Sequence, residues 1–318
     1  MEATFQRTDK SIFAYQNEEF LLKCQLAQRK EYTHAKKASR VKSIFNIIFA
    51  VISICASCID CNTLSAISSL FAVLVVVFNK YFDKYILYYK KYAASIQQYI
   101  DVTLFTYVIG GSKFEWGELP SNTELANAVS ELSEVDTSDV KNWYSDYSTL
   151  PGEYQIFYCQ RENVRWDYEL HRSYKNFIFG TLLVIALIIL VNIYFFASDI
   201  IMFICILSWF IPLGEYIYSI HKDIRQTISF SKKIDNYSNN IEKKLLENGD
   251  ISIKQDLIDL QYMLRKRREV GFLIPDWFYR RKKNKYQKKE SSIAEHILRL
   301  SKDVGKNDSN NTRYNRVD

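Results

Sequence analysis

Four apolar segments constrain the fold of this 318-residue chain more than any other feature of its sequence. They cover residues 43–59, 63 to about 82, 177–197 and 200 to about 218. Each is close to the roughly 17–25 apolar residues with which a helix crosses a bilayer. Only "DCN" separates the first two segments, and only "SD" separates the last two. The sequence therefore predicts an all-α membrane protein with four transmembrane helices in two tight hairpins and helical cytosolic regions.

The distribution of lysine and arginine predicts the orientation in the membrane. Basic residues precede the first apolar segment, follow the second, precede the third and follow the fourth, whereas the two short turns contain none. By the positive-inside rule, both termini and the central region lie in the cytoplasm. The predicted regions are a cytosolic N-terminal helical arm (1–42), the first transmembrane hairpin (43–82), a cytosolic central helical region (83–176), the second transmembrane hairpin (177–219), a cytosolic helical region (220–280) and a basic, partly disordered tail (281–318).

Two patterns predict helices in the cytosolic regions. In the central region, "LPSNTELANAV" supplies Ser121 or Asn122 as a helix cap, with Glu124 just inside the helix. After the fourth apolar segment, apolar residues recur at helical spacing on both sides of a break at Asn248-Gly249: Ile224, Ile228, Ile234, Ile241 and Leu245, then Ile253, Leu257, Leu260 and Leu264. We expect these helices to pack on each other, on the central region or on a second subunit.

Residues that carry chemistry are scattered. The four histidines stand singly, and Cys55, Cys58 and Cys61 have no histidine beside them. We interpret these cysteines as small residues at a helix contact rather than as a zinc site. The paired glycines of "VIGGSKFEWG" lack the spacing of a phosphate-binding loop and predict a turn. The sequence thus predicts neither an enzyme, nor a metal site, nor a cofactor.

A charged and aromatic stretch, "CQRENVRWDYELHRSYKNF" (159–177), runs directly into the third apolar segment. No glycine or proline separates the two, so one continuous helix is predicted from the cytosol into lipid. One side of that helix carries Arg161, Arg165, Tyr168, Arg172 and Lys175, and another carries Asn163, Trp166 or Asp167, Leu170 and Tyr174. Two interpretations stay open: the cations rest near anionic lipid headgroups, or the stretch binds phosphates and a stacked base.

Three stretches resemble the SMODS-associating four-transmembrane effector family: "AQRKEYTHAKK" (27–37), "CQRENVRWDYELHRSY" (159–174) and "GFLIPDWFY" (271–279). The most specific pieces are residues 159–161, Asn163, Trp166-Asp167 and residues 274–277, and the similarity extends to about residue 280. The resemblance implies a protein that acts beside a bacterial cyclic-oligonucleotide synthase in CBASS antiphage defence. There, a nucleotide signal made during infection causes the membrane protein to permeabilise the inner membrane and stop the infected cell.

The predicted function is therefore a homo-oligomeric effector that senses a cyclic oligonucleotide in the cytosol and permeabilises the bilayer, with a nucleotidyltransferase as functional partner. No nucleic-acid polymer is expected to bind. The residues predicted to bind the ligand or to couple the signal are Arg161, Arg165, Asn163, Trp166 and Asp167. The polar residues predicted at a pore or helix interface are Asn46, Ser53, Asn192, Asp199 and Glu215. Two alternatives stay open: a constitutive small channel or transporter, and a scaffold that recruits a cytosolic partner without forming a pore.

Overall fold

A computed structural model describes residues 10–58, 62–110, 114–130, 132, 136–196, 200–247 and 252–314. Every regular element within these ranges is helical: α1 (Ile12–Tyr15), α2 (Glu19–Cys58), α3 (Asn62–Val108), α4 (Asn122–Ser130), α5 (Gly152–Phe196), α6 (Ile200–Glu247), α7 (Lys254–Val270) and α8 (Asp276–Tyr314), with a short 3-10 helix (Ser138–Val140) before α5. At 1.5 Å per residue, the 40 residues of α2 and the 48 of α6 make helices about 60–72 Å long. The prediction of an all-helical protein is confirmed.

Each of α2, α3, α5 and α6 joins a polar half to one of the four apolar segments. Helix α5 begins at Gly152 and continues without interruption through residues 159–177 to Phe196, which confirms the predicted continuous helix. Among the described residues, one helix, over Gly152–Phe195, is long and apolar enough to cross a membrane. The turns at 59–61 and 197–199, and many side chains of the other three apolar segments, lie outside the described part of the chain. Four spans therefore stay a prediction.

Helices α2 and α3 form an antiparallel pair. Near the apolar end, the rings of Phe45 and Phe78 lie 4.2 Å apart, and Lys42 pairs with Asp83 at 2.5 Å. At the polar end, the amide of Gln28 donates to Gln97 at 3.1 Å. Residue numbers rise along α2 as the numbers of their partners on α3 fall, so the helices run in opposite directions. The pair extends well beyond the two apolar segments.

Helices α5 and α6 are antiparallel in the same way, and α7 lies among α3, α5 and α6. The apolar pattern predicted after the fourth segment is buried in this assembly: Ile224, Ile234, Ile241, Leu257, Leu260 and Leu264 are all at most 2% exposed. These residues pack on each other and on neighbouring helices of the same chain. The main core thus lies among the polar halves of the long helices.

A second, smaller cluster of buried side chains joins α5, α6 and the start of α8. Its buried members are Leu170, Tyr174, Ile178, Ile217, Ile224, Ile274, Phe278 and Tyr286. We call it the stem cluster, because it lies where α5 and α6 enter their apolar halves. The ring of Tyr174 meets that of Phe278 at 5.0 Å, and Phe177 meets Trp277 at 5.4 Å.

The helix start predicted near residue 121 is confirmed as a capping box. The Glu124 backbone N–H donates to Ser121 Oγ at 3.2 Å, and the Ser121 N–H donates to Glu124 Oε2 at 2.7 Å. These bonds lower the pKa of Glu124. Ser121, rather than Asn122, is therefore the capping residue.

The basic tail belongs to α8, which continues to Tyr314. Residues 302–314 contain no proline but are rich in Asn, Asp, Ser and Thr, which are weak helix formers. Partial disorder of the tail therefore stays a prediction. Residues 315–318 lie outside the described part of the chain.

Candidate ligand-binding site

A cavity of about 440 Å³ opens among the polar halves of the helices, between α2, α5, α7 and the start of α8. Pockets of roughly 300–1,000 Å³ accommodate small-molecule ligands. All three stretches that resemble the effector family contribute to its wall: residues 28–36 of α2, residues 163–171 of α5, and residues 271–283. The fold therefore brings together at one cavity segments that are distant in sequence.

The wall of the cavity is strongly basic. Six cationic side chains line it: Arg29, Lys36, Arg267, Arg268, Arg280 and Lys283. Three aspartates accompany them: Asp139, Asp167 and Asp276. With Asp101, which pairs with Arg268 behind the wall, the formal surplus is two positive charges and favours an anionic ligand.

Aromatic side chains form another part of the wall, mainly Trp143, Trp166 and Tyr279. The rings of Trp166 and Tyr279 lie 6.4 Å apart. The same three side chains line an adjoining space of about 50 Å³, together with Glu162. Flat aromatic surfaces of this kind stack on nucleobases, for about 1–3 kcal/mol per base.

The cations of the cavity pair with aspartates on other elements. Lys36 of α2 contacts Asp276 of α8 at 2.5 Å, and Arg267 of α7 pairs with Asp167 of α5. Lys283 of α8 donates to the backbone carbonyl of Asp139 at 3.2 Å, and Arg29 donates to the same carbonyl. The elements around the cavity are thus held to one another by charged contacts.

Two adjacent arginines of α7 form the most buried part of the basic wall. Burial lowers the pKa of Arg267 to about 9, and the neighbouring charge of Arg268 adds to this effect. Burial also opposes the charge of Arg268, but Asp101 offsets it, and the pKa is raised overall. Arg268 Nη1 donates to Asp101 Oδ2 at 2.6 Å. Because both pKa values lie above 7, both arginines are charged at neutral pH.

A buried hydrogen-bond network supports this wall from behind. Tyr144 donates its hydroxyl hydrogen to Asp101 at 2.7 Å, and Gln261 donates to the same carboxylate at 3.0 Å. Asn163, which lines the cavity, donates to the Tyr144 oxygen at 2.7 Å. Asn163 and Arg268 are therefore linked through Tyr144 and Asp101, which fixes their positions on two separate helices.

Residues 271–275 connect the cavity to the stem of the membrane hairpin. Phe272 lines the cavity, its N–H donates to Thr227 Oγ1 of α6 at 2.9 Å, and its carbonyl lies 3.0 Å from His171 Nε2 of α5. Burial lowers the pKa of His171 to about 4, so the ring is neutral at pH 7. One short segment thus contacts the cavity, α5 and α6 together.

Three of the five predicted ligand or coupling residues, Asn163, Trp166 and Asp167, line the cavity. The other two turn elsewhere: Arg161 pairs with Glu242 of α6, and Arg165 donates to Glu290 of α8 from Nε at 3.1 Å and Nη2 at 2.7 Å. Neither arginine is among the side chains that line the cavity. Their role in coupling stays a prediction.

The predicted pore or interface residues are only partly described. Asn46 and Asn79 exchange two amide hydrogen bonds, at 3.2 and 2.9 Å, across α2 and α3. Asn46 therefore lies at a helix interface within its own hairpin. The side chains of Ser53, Asn192 and Glu215, and the whole of Asp199, lie outside the described residues.

The sequence analysis missed Lys36, Arg267, Arg268 and Lys283 as site residues. A signal was present for two of them: Arg267 and Arg268 follow Leu264 by three and four residues, so they continue its buried stripe. Arginines at such positions are buried only with partners. No comparable signal marks Lys36 and Lys283, which belong to generally basic runs.

Metal binding and thiol chemistry find little support in the described residues. Over the ranges that the structure describes, no group of three His, Cys, Asp or Glu side chains is placed to hold a metal ion. Cys24 and Cys159 are buried free thiols, and burial raises the pKa of both. Both thiols are therefore poor nucleophiles.

Comparison with known families identifies one match. The model of the SMODS-associating 4TM effector domain matches residues 10–297, which includes all three stretches that line the cavity. Searches of curated proteins and of solved structures found no significant match.

Proposed function

Since the chain belongs to the SMODS-associating 4TM effector family, we propose that it is a CBASS-type effector of the bacterial inner membrane. It binds a cyclic oligonucleotide in the cytosol and then permeabilises the membrane, so that the infected cell stops growing. The observation that carries the proposal is the basic and aromatic cavity, two of whose walls, on α2 and α5, lie on helices that continue into apolar segments. The role is that of an effector rather than of an enzyme.

The chemistry of the cavity supports this class of ligand. A cyclic oligonucleotide carries one negative charge on each phosphodiester and one flat base on each sugar. Arginine and lysine side chains hold phosphates by charge-assisted hydrogen bonds, and Trp143, Trp166 and Tyr279 offer stacking surfaces. An extended nucleic-acid polymer is not the proposed partner, because a cavity of about 440 Å³ matches a small-molecule ligand.

The continuity of α2 and α5 supports coupling between ligand and membrane. Both helices contribute side chains to the cavity and continue to apolar segments. A ligand shifts such helices only if it binds two arrangements with different affinity. Residues 271–275 add a second route, since Phe272 bonds to both α5 and α6.

The proposed active form is a homo-oligomer with both termini in the cytoplasm, functionally linked to the nucleotidyltransferase that makes the signal. Two hairpins from one copy enclose too little space for a wide aqueous path, so several copies supply the spans. Ser53, Asn192 and Glu215 of the spans, and Asp199 of the turn between the last two, are proposed to line that path or the contacts between copies. Asn46 instead joins the two helices of the first hairpin.

Dye release from lipid vesicles that contain the purified full-length protein tests the proposal. We expect release when one member of a panel of cyclic di-AMP, cyclic di-GMP and cyclic tri-AMP is added, and none without nucleotide. Lys283→Ala removes a cavity cation and raises the half-maximal nucleotide concentration about tenfold or more. Lys285→Ala, an exposed lysine of the same helix outside the cavity, is the matched control and leaves that concentration unchanged.

Two results would contradict the proposal. Equal release with and without nucleotide identifies a constitutive channel. Absence of release under both conditions, with correctly inserted protein, identifies a scaffold.

A further inference from the structure

We propose that Asp276 is an internal competitor for the ligand: its carboxylate occupies Lys36 at rest, and a phosphate of the ligand replaces it there. The inference rests on the proposed function, because it concerns the same cavity. It adds a resting state in which the carboxylate of Asp276 pairs with Lys36. It also makes ligand binding and the release of a contact between helices a single event.

The pair of Lys36 and Asp276 is a partly exposed charged contact of the cavity wall that joins α2 to the start of α8. Its side chains are 22% and 39% exposed, and Asp276 Oδ1 lies 2.5 Å from Lys36 Nζ. The pair of Arg267 and Asp167 is less exchangeable, since Arg267 is buried more deeply and His171 also contacts Asp167, at 3.2 Å. Partly exposed ion pairs contribute little to stability, so a phosphate displaces Asp276 at small cost.

The position of Asp276 in its helix stabilises the carboxylate after displacement. Asp276 is the first residue of α8, and the positive end of the helix dipole favours an acidic side chain in the first turn. Water solvates the released carboxylate, because the side chain is already partly exposed. Lys36, by contrast, gains a phosphate in place of the carboxylate and keeps a charged partner throughout.

The exchange changes a contact between two parts of the membrane protein. Lys36 lies on α2, which continues into the first apolar segment. Asp276 directly precedes Trp277 and Phe278, which pack on Phe177 at the beginning of the third apolar segment. Release of Asp276 therefore breaks a contact between α2 and the start of α8, which packs on α5, and only the ligand-bound state has this arrangement.

Nucleotide titration of full-length variants in detergent, read by tryptophan fluorescence, tests the inference with cyclic di-AMP, cyclic di-GMP and cyclic tri-AMP. Asp276→Asn removes the competitor and tightens binding roughly three- to tenfold. Lys36→Met removes the phosphate partner and weakens binding about tenfold or more. Asp276→Glu keeps the carboxylate and binds like the parent.

Asp276→Asn and Lys36→Met break the same ion pair, yet the inference requires that the first tightens nucleotide binding and the second weakens it. The matched control is Asp83→Asn, which breaks the 2.5 Å pair with Lys42 between α2 and α3, outside the cavity. It leaves affinity unchanged. In vesicles, Asp276→Asn also lowers the nucleotide concentration for half-maximal dye release by a similar factor.

The outcomes separate this inference from the proposed function. If the parent binds a nucleotide and Asp276→Asn binds it equally or more weakly, the pair is only structural and the inference is wrong. The same conclusion follows if Lys36→Met binds like the parent. If neither the parent nor Asp276→Asn binds any nucleotide of the panel, the ligand class of the proposed function is itself refuted.

Discussion

The ion pair between Arg165 of α5 and Glu290 of α8 is expected to hold α8 to the part of α5 that leads into the third predicted span. Both Nε and Nη2 of Arg165 donate to Glu290 Oε2, and the Glu290 side chain is only 3% exposed. Arg165→Ala therefore leaves a carboxylate buried without its cation. The cost of breaking one side of a buried pair is about 3–5 kcal/mol, which corresponds to a fall in Tm on the order of 10 °C.

The magnitude can be checked by removing both charges. Arg165→Met combined with Glu290→Leu replaces the pair by apolar side chains, and we expect it to recover most of the lost stability. A matched control is available on the same two helices: Lys289 and Glu169 pair at 3.1 Å with side chains 49% and 31% exposed. Lys289→Ala is expected to change the free energy of unfolding by about 0–1 kcal/mol.

Thermal and urea unfolding of the detergent-solubilised variants provide the measurement, with dye release as the functional readout. Arg165→Ala is expected to bind nucleotide, because its side chain does not line the cavity, and to release dye poorly, because α8 no longer holds α5. A loss of stability as small as that of Lys289→Ala would refute the burial argument. Unchanged dye release from correctly folded Arg165→Ala would refute the role in coupling.

Two buried ionisable groups give the stability of the cytosolic region opposite dependences on pH, and an amide pair gives a third test. Burial lowers the pKa of His171 to about 4 from 6.5. As the pH falls, this histidine therefore binds a proton in the unfolded chain before it does so in the folded protein, and the free energy of unfolding falls by about 3 kcal/mol through this range. In urea unfolding, His171→Gln should reduce the difference in the free energy of unfolding between pH 7 and pH 4.5. An unchanged difference would contradict the assignment of this pH dependence to His171. Burial raises the pKa of Glu162 to about 7 from 4.5, so its contribution to stability is present at low pH and lost as the pH rises through 7. Glu162→Gln should therefore stabilise the fold at pH 8 and have little effect at pH 4.5, and equal effects at both pH values would contradict the burial of this group. Asn46→Val leaves the Asn79 amide without its partner and should lower the free energy of unfolding by about 1–3 kcal/mol, as measured by thermal unfolding. The double variant with Asn79→Val should lose less stability than the single variant. Additive losses of stability would show that the two amides do not interact.

The continuity of α5 could be predicted because it depends on local sequence. No glycine or proline lies between residues 159 and 177, and a helix continues where no residue interrupts it. The apolar stripe from Ile224 to Leu264 was predictable for the same reason, since its period alone identifies the buried face. The capping box at Ser121 likewise depends on residues only three apart.

The composition of the site depended on tertiary packing and could be predicted only in part. The sequence places Arg161 and Arg165 on one side of α5 and Asn163 and Trp166 on another. It does not determine which side meets α6 and α8 and which faces the cavity. Lys36 was beyond prediction as a site residue, since its role depends on how α2 lies against a segment 240 residues away in sequence.

The unequal strength of the contacts around the cavity indicates which parts of the molecule move together. Helix α5 is fixed to α8 by the buried pair of Arg165 and Glu290 and to α6 by Arg161, so these three helices respond to a ligand as one unit. Helix α2 is attached to this unit at the cavity by the partly exposed contact of Lys36. Because a ligand breaks the weaker contact before the stronger ones, we expect α2 to move at the cavity relative to α5, α6 and α8. Helix α3 is held more firmly, since the buried carboxylate of Asp101 bonds to Arg268 and Gln261 of α7.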